Sequence, residues 1–400
     1  MSDDDDPVRA GTARNLILVL AFLTAFTLHL ILFSYSPLIP MIIEEMGISH
    51  AEAGFVFSIS MFAILLLRLP WGFLSDRLGV IATMRLATVF IGVFSLLRGF
   101  VTNYYLLLAS QLLLGVGFAS VLPCLAKIVN AMFTEKAGFA TGIYMLGFPA
   151  GELVGLSLTS YLLLVLQGDW RLIFQIFGVW SVILTGLWWT VGSHLHMKPV
   201  HQNSIAHTRV TTLLKVRQIW LLAGLCICSM GCYDTLLTWL PRILELKGIP
   251  PPEASITASL FPLGFLLAGP VIGTLSDNVG LRKPFIGVMG FASVICIMLI
   301  HYATHVSLLG AISLAGFTLS GILTLVLVIP TEDPELSQNV GGAVGLFTSM
   351  GNVGSVLFPI IIGALIDVTR APILPLTVLA IIGGTSGVLN IVLRETGKRP

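Results

Sequence analysis

Three ionisable side chains, His29, Arg68 and Glu152, stand inside long apolar runs of this 400-residue chain. Charge in hydrocarbon is costly and as a rule faces a cavity or a partner rather than lipid. A guanidinium offers a planar fork of donors that suits nitrate, nitrite, cyanate or a carboxylate. Arg68 is therefore a candidate anion ligand; pairing with Glu152 or with backbone carbonyls is the alternative use of its charge. A carboxyl in such a run can take up and release a proton as its surroundings change, which makes Glu152 a candidate for proton coupling. His29 can share that proton or donate to a backbone carbonyl. Tyr144, Tyr233 and Asn352 carry polar tips in similar runs and complete the candidate substrate site, although packing or interfacial anchoring is the commoner use of tyrosine. Tyr35 is a further candidate of that kind, and Asp234 is a candidate gate or interfacial group.

Other chemistries lack their residues. No phosphate-cradling glycine loop, nucleophile elbow or HExxH helix is present, so neither an ATP-driven pump nor a hydrolase is expected. Cys228 and Cys232, or His301 and His305, have i, i+4 spacing but no further ligands. Polarizable packing is the plainer reading of the cysteines, and no metal or cofactor is expected. The linker histidines His194, His196, His201 and His207 likewise read as a solvated loop.

The elements that must position these groups are helices in a bilayer. The chain is 56% hydrophobic and 10% charged, with a mean hydropathy of +0.96, whereas a soluble domain is about a quarter charged. Apolar windows long enough to span predict twelve helices with cores at 16–36, 52–74, 81–101, 104–126, 138–164, 171–193, 216–240, 254–275, 284–303, 306–329, 339–363 and 371–393. No cleavable leader is expected before the first. Residues 1–15 and 394–400 read as tails, 16–193 and 216–393 as six-helix units, and 194–215 as the linker between them. Most of the 21 Lys and Arg fall on the side of both tails and the linker, against Arg98, Arg171, Arg242, Lys247 and Arg370 on the other. The positive-inside rule then places both termini in the cytoplasm. A net charge of +1 gives no sign of a nucleic-acid partner; the expected partners are a bilayer and a small solute, with the chain a monomer.

The two units repeat. Gly72, Leu74, Ser75, Asp76 and Gly79 recur as Gly273, Leu275, Ser276, Asp277 and Gly280, and Gly142, Gly151 and Gly155 find counterparts at Gly342, Gly351 and Gly354. Duplicated six-helix units are the sequence sign of a secondary transporter with its site between the repeats. Glycine at 72 permits close approach of a neighbouring helix, and Asp76 can accept from helix amides or a basic residue.

On these residues the chain resembles the major facilitator superfamily, the first copy matching its signature between the second and third helices and Gly273–Lys283 the degenerate second copy. The resemblance implies an all-α integral membrane fold of two pseudo-symmetric six-helix bundles. It also implies a gating role for Gly72, Asp76, Arg77, Gly79, Gly273, Asp277 and Arg282. Val80 and Ile81 stand where the signature usually has basic residues, so Arg77 or Arg85 is expected to complete the first clamp. A narrower likeness is to nitrate/nitrite porters and cyanate permeases, carried by Leu66–Pro70, Gly345–Gly354 and Thr238–Pro241. It departs at Gly269, where nitrate porters have a second arginine, and at Glu152. The expectation is a transporter, not an enzyme, that moves a small inorganic or organic anion by alternating access at the cytoplasmic (inner) membrane, driven by a proton or ion gradient. A proton-antiport exporter and a non-transporting membrane sensor remain the other readings.

Overall fold

The computed structural model describes residues 7–134, 136–193 and 210–397. The acidic run Asp3–Asp6 and the four linker histidines lie outside the described residues. Twelve helical spans are long and apolar enough to cross a membrane: Arg14–Met46, His50–Leu78, Val80–Phe100, Tyr104–Met132, Ala137–Val165 and Trp170–Gly192, then Arg217–Leu246, Pro251–Val279, Lys283–Tyr302, His305–Glu332, Ser337–Thr369 and Ile373–Val392. They are called spans 1 to 12 below. Helices satisfy every interior backbone group internally, which is why hydrocarbon admits them.

Three spans are discontinuous. Span 1 runs as a helix over Pro7–Phe33, a 3-10 turn at Ser36–Leu38 and a second helix over Ile39–Met46. The segment after Tyr35, beyond the expected end at 36, is amphipathic and contains Pro37 and Pro40, which remove ladder donors without preventing a new helical start. Span 5 breaks at Leu146 and span 8 at Ser259–Leu260. Local chemistry sets several starts. Ser49 and Glu52 form a reciprocal capping box at the head of span 2, and the Asn103 side chain accepts from the Leu106 amide.

The end of the bundle on which spans 6 and 7 meet the linker is called the linker end, and the opposite one the far end. Lipid gives helices no hydrophobic reason to associate, so packing rests on small residues and hydrogen bonds. In span 5, a Cβ at Gly147 would stand 2.6 Å from the Phe22 carbonyl and one at Gly155 3.0 Å from that of Leu30, while one at Gly151 would overlap the Phe26 carbonyl. The spacing of four brings span 5 backbone to backbone with span 1. Gly351 and Gly354 do the same for span 11 against span 7, where Cβ atoms would collide with Cys226, Ile227 and Gly231. The first member of each triplet differs: Gly142 faces open space and Gly342 sits against the Asn339 side chain.

Two expectations are corrected. Gly72 does not seat a neighbouring helix, since a Cβ there would meet nothing within 4 Å, and Gly273 is equally open. Arg98, counted among the far-side charges, is fully buried at the end of span 3. It donates to Gln111 Oε1 at 3.1 Å and to the Ile31 carbonyl at 3.3 Å and lies 4.1 Å over the Phe174 ring. Acceptors and a ring face let a guanidinium stay inside.

Candidate functional site

The glycine stripes position the polar groups. Glu152 follows Gly151, and the close approach of spans 5 and 1 brings its Oε1 to 2.6 Å from His29 Nδ1. Its Oε2 accepts from the Tyr233 hydroxyl of span 7, also at 2.6 Å. Glu152 is 2% exposed and thus joins the two halves in the interior. Span 11 repeats the device: Ser355 follows Gly354 and donates to Asp234 Oδ2 at 2.5 Å. Aromatic rings wall the group. The His29 ring lies 4.6 Å from Phe148 and 5.5 Å from Phe33, and Tyr233 lies 4.7 Å from Phe261 and 5.6 Å from Phe265.

This arrangement gives the carboxyl one partner in each half. An ionised carboxylate only accepts; once protonated, one of its oxygens becomes a donor. A proton on Oε1 changes the bond to His29 within one half, and a proton on Oε2 changes the bond to Tyr233 across the two.

Arg68 sits apart from that cluster. The lipid-facing stripe of span 2 is Phe62, Leu66, Leu69 and Phe73, all well exposed. Arg68 shares the opposite face with Ile64, Trp71 and Ser75, which are buried. It is half-buried, and its Nε is enclosed without a hydrogen-bond partner. Among the described residues it forms no ion pair; the Glu152 carboxylate, considered above as its partner, is taken by His29 and Tyr233. At Gly269, where a second arginine would stand, a Cβ would meet nothing within 4 Å.

The other candidates are placed as follows. Asn352 is buried and its amide donates to the Thr348 carbonyl of its own helix at 3.0 Å. Tyr144 is 1% exposed and has no hydrogen bond among the described residues. Tyr35 is buried and donates to the Ala53 carbonyl at 2.9 Å. Cys228 accepts from Thr385 and Cys232 bonds the Leu379 carbonyl. No group of three His, Cys, Asp or Glu able to hold a metal occurs among the described residues.

At the linker end each copy of the repeated motif is closed within its own half. Asp76 pairs with Lys127 of span 4 at 2.6 Å, and the same ammonium donates to the Gly72 carbonyl and Ser75. This corrects the expectation of Arg77 or Arg85. Arg77 is exposed, and Arg85 donates to the Trp188 and Trp189 carbonyls of span 6. In the second copy Arg282 binds Asp277 at 2.5 Å, Glu332 of span 10 at 2.6 Å and Ser276 at 2.9 Å. The Glu332 carboxylate, followed by Asp277, holds Arg282 well above the usual guanidinium range. The tail adds a third layer, Glu395 accepting from the Arg282 and Lys283 amides at 2.7 and 3.0 Å. Gly79, with φ of 89°, and Gly280, with φ of 68°, turn the two loops. Among the described residues no hydrogen bond or ion pair joins the halves at this end.

At the far end the halves are locked. Asp367 of span 11 accepts from the His50 and Ala51 amides at 2.9 and 3.0 Å and from His50 Nδ1 at 2.7 Å. Arg242 of span 7 donates to His50 Nε2 at 3.2 Å and pairs with Glu245. Ser36 donates to the Thr238 carbonyl at 2.5 Å, and Gly54 and Gly363 take the backbones of Pro359 and His50 into direct contact. None of these pairings was read from the sequence, which carries no local signal for residues 317 positions apart.

A family model described as the Major Facilitator Superfamily matches residues 21–251 and 243–400. The probable galactarate/D-glucarate transporter GarP of Escherichia coli (strain K12) is 25% identical over 91% of this chain and 90% of its own length. The D-galactonate transporter of Escherichia coli O6:H1 is 25% identical over 97% and 98%, and the gentisate transporter of Corynebacterium glutamicum 24% over 81% and 74%. In fold the chain is similar to a bacterial homolog of the human lysosomal transporter Spinster, solved inward-facing and unoccupied, with a TM-score of 0.72, 15% identity and 95% of both chains covered. It is also similar to the nucleoside transporter NupG, at a TM-score of 0.78, 16% identity and 95% and 98% coverage. These relatives are named for sugar acids and an aromatic acid, so the narrower likeness to nitrate and cyanate porters gains no support from them. With twelve spans in two related halves and the match running through both, the chain belongs to the Major Facilitator Superfamily of membrane transporters and is not an enzyme.

Proposed function

We propose that the chain is a secondary transporter of a small organic anion bearing one carboxylate, taken up together with a proton. The observation that carries this reading is Arg68, an intramembrane guanidinium on the interior face of span 2 with no carboxylate partner among the described residues. Such a charge needs a counter-ion, and Glu152 and Asp234, the acids buried in the middle of spans 5 and 7, are engaged elsewhere. No second arginine stands at Gly269, which fits a single anionic group on the solute. Relatives named for galactonate and gentisate support a carboxylate. Glu152, with His29, carries the proton, and Tyr233 reports its state to the other half; Tyr144 and Asn352 serve as wall residues.

The duplicated motif copies, including Gly72, Asp76, Arg77, Gly79, Gly273, Asp277 and Arg282, brace the linker end of each half during the cycle. The chain is a monomer of the inner membrane in this reading, and the positive-inside count supports both termini and the linker end lying in the cytoplasm. A locked far end and an unlinked linker end then correspond to an inward-facing state.

The test is thermal protection of the purified chain by D-galactonate, gentisate, galactarate, nitrate and cyanate, for the wild type and for Arg68→Lys, since a ligand stabilises the state that it binds. Protection by a monocarboxylate that Arg68→Lys loses is the expected result. Protection by none of them, or protection that survives the substitution, removes Arg68 from the site.

A further inference from the structure

We propose that His50 is a proton-binding switch of the far-end gate: its neutral form fastens spans 2, 7 and 11 together, and its protonation releases them. The geometry fixes the tautomer. Asp367 has no proton to give, so His50 Nδ1 donates to it at 2.7 Å. Arg242 Nε has only a donor to offer, so His50 Nε2 must accept at 3.2 Å through its lone pair. One imidazole thus joins an anion of span 11 to a cation of span 7 while belonging to span 2.

A second proton on the ring occupies that lone pair. The Arg242 bond is lost and an imidazolium faces a guanidinium. Asp367 favours the imidazolium, but the same carboxylate already receives the His50 and Ala51 amides, so protonation adds to one seam contact that already exists while it destroys the other. The other charged groups near the ring do not offset this. Glu245 of span 7 is bound by Arg242, and Glu52 of span 2 is spent on the Ser49 cap. Tyr104 of span 4 reaches the Glu52 carbonyl rather than the ring, and Glu45, at the end of span 1, is paired with Arg171. The remaining neighbour is the Trp239 ring, 5.9 Å away, itself bonded to the Pro359 carbonyl. Protons therefore favour the separated far end. This goes beyond the transport reading in that it needs the halves to move but assumes no particular solute.

The experiment is a distance measurement on the full chain in lipid nanodiscs without solute. Spin labels go on Tyr105→Cys and Val306→Cys, two exposed far-end positions in opposite halves, in a Cys228→Ser background. Between about pH 8 and about pH 5, across the ordinary range of histidine, the wild-type distance distribution is expected to shift from short to long. A difference of one unit in proton affinity between the two states changes the open-to-closed ratio about tenfold. His50→Gln, whose amide can donate to Asp367 and accept from Arg242, should stay short at both pH values. Asp367→Ala should be long at both. A wild-type distribution that ignores pH while Asp367→Ala opens overturns the role of His50 and leaves transport untouched. A pH response that persists in His50→Gln, or in His50→Asn should the glutamine variant fail to fold, overturns it as well. Distances fixed under every condition would overturn the switch and the moving halves together.

Discussion

The two ends of the seam between the halves are built on opposite plans. At the far end the strong polar contacts cross the seam, from Asp367 to the head of span 2 and from Arg242 to His50. At the linker end each described ion pair stays within one half, Asp76 with Lys127 and Arg282 with Glu332. Glycines follow the same division: Gly54 and Gly363 are in backbone contact across the seam, whereas Gly72 and Gly273 face open space. A machine that closes one end at a time needs contacts that break at the closed end and rigid bodies at the open one. The difference also suggests what the open glycines are for, namely a helix approach that occurs in the other state.

The largest expected effect lies where the two plans meet. Glu152→Gln keeps the shape of the side chain but removes its exchangeable proton, so proton-driven accumulation should vanish while solute exchange continues in proteoliposomes. Retention of the wild-type pH dependence would show that the seam contact is only structural. Next comes a matched pair. Gly54→Val forces a side chain into the Pro359 backbone and should cost about 3 kcal/mol by the usual price of overpacking, seen as a lower melting temperature. Gly72→Ala should stay within about 0.5 kcal/mol of wild type and slow turnover instead. Equal melting temperatures for the two would erase the contrast between the ends.

The two motif copies sharpen it further. Glu332→Gln strips one partner from a largely buried Arg282 and should cost about 2 kcal/mol, whereas Asp76→Asn breaks an exposed pair worth about 1 kcal/mol or less; chemical denaturation of each variant gives the comparison. The smallest effect is in acid. Burial pushes the Glu395 carboxyl up, but the amides of Arg282, Gly397, Lys283 and Thr396 outweigh it and hold it below the usual range. A depressed carboxyl contributes stability above its unfolded value, about 4.3, and loses it as pH falls through the lower folded one. Amide exchange at Arg282 and Lys283, corrected for its intrinsic rate, should quicken below about pH 4 and already at neutral pH in Glu395→Gln.

Hydropathy made the twelve spans legible, because each is a property of about 20 consecutive residues, and the duplication was visible because two copies of one pattern lie in one chain. Arg68, Glu152 and His29 were found for a related reason: an ionisable group in an apolar run is conspicuous by itself. Their partners were not. That His29 meets Glu152 while Arg68 does not depends on helix rotation set by Gly147, Gly151 and Gly155, and a stripe of small residues does not name what it packs against. Lys127 was overlooked as the partner of Asp76 because it is 51 residues away. The burial of Arg98 was missed because it lies at the end of an apolar run, where a charge ordinarily reaches water, and the groups that hold it, Gln111 and Phe174, come from other spans.

Asp367 caps the opening turn of a helix that belongs to the other half. Parting the far end therefore exposes a bare carboxylate and two free amides at once, and bulk water must flow in to hydrate them. Opening is then a wetting step as much as a hinge motion, and solutes excluded from protein surfaces, such as sucrose, should hold the gate dry and shut.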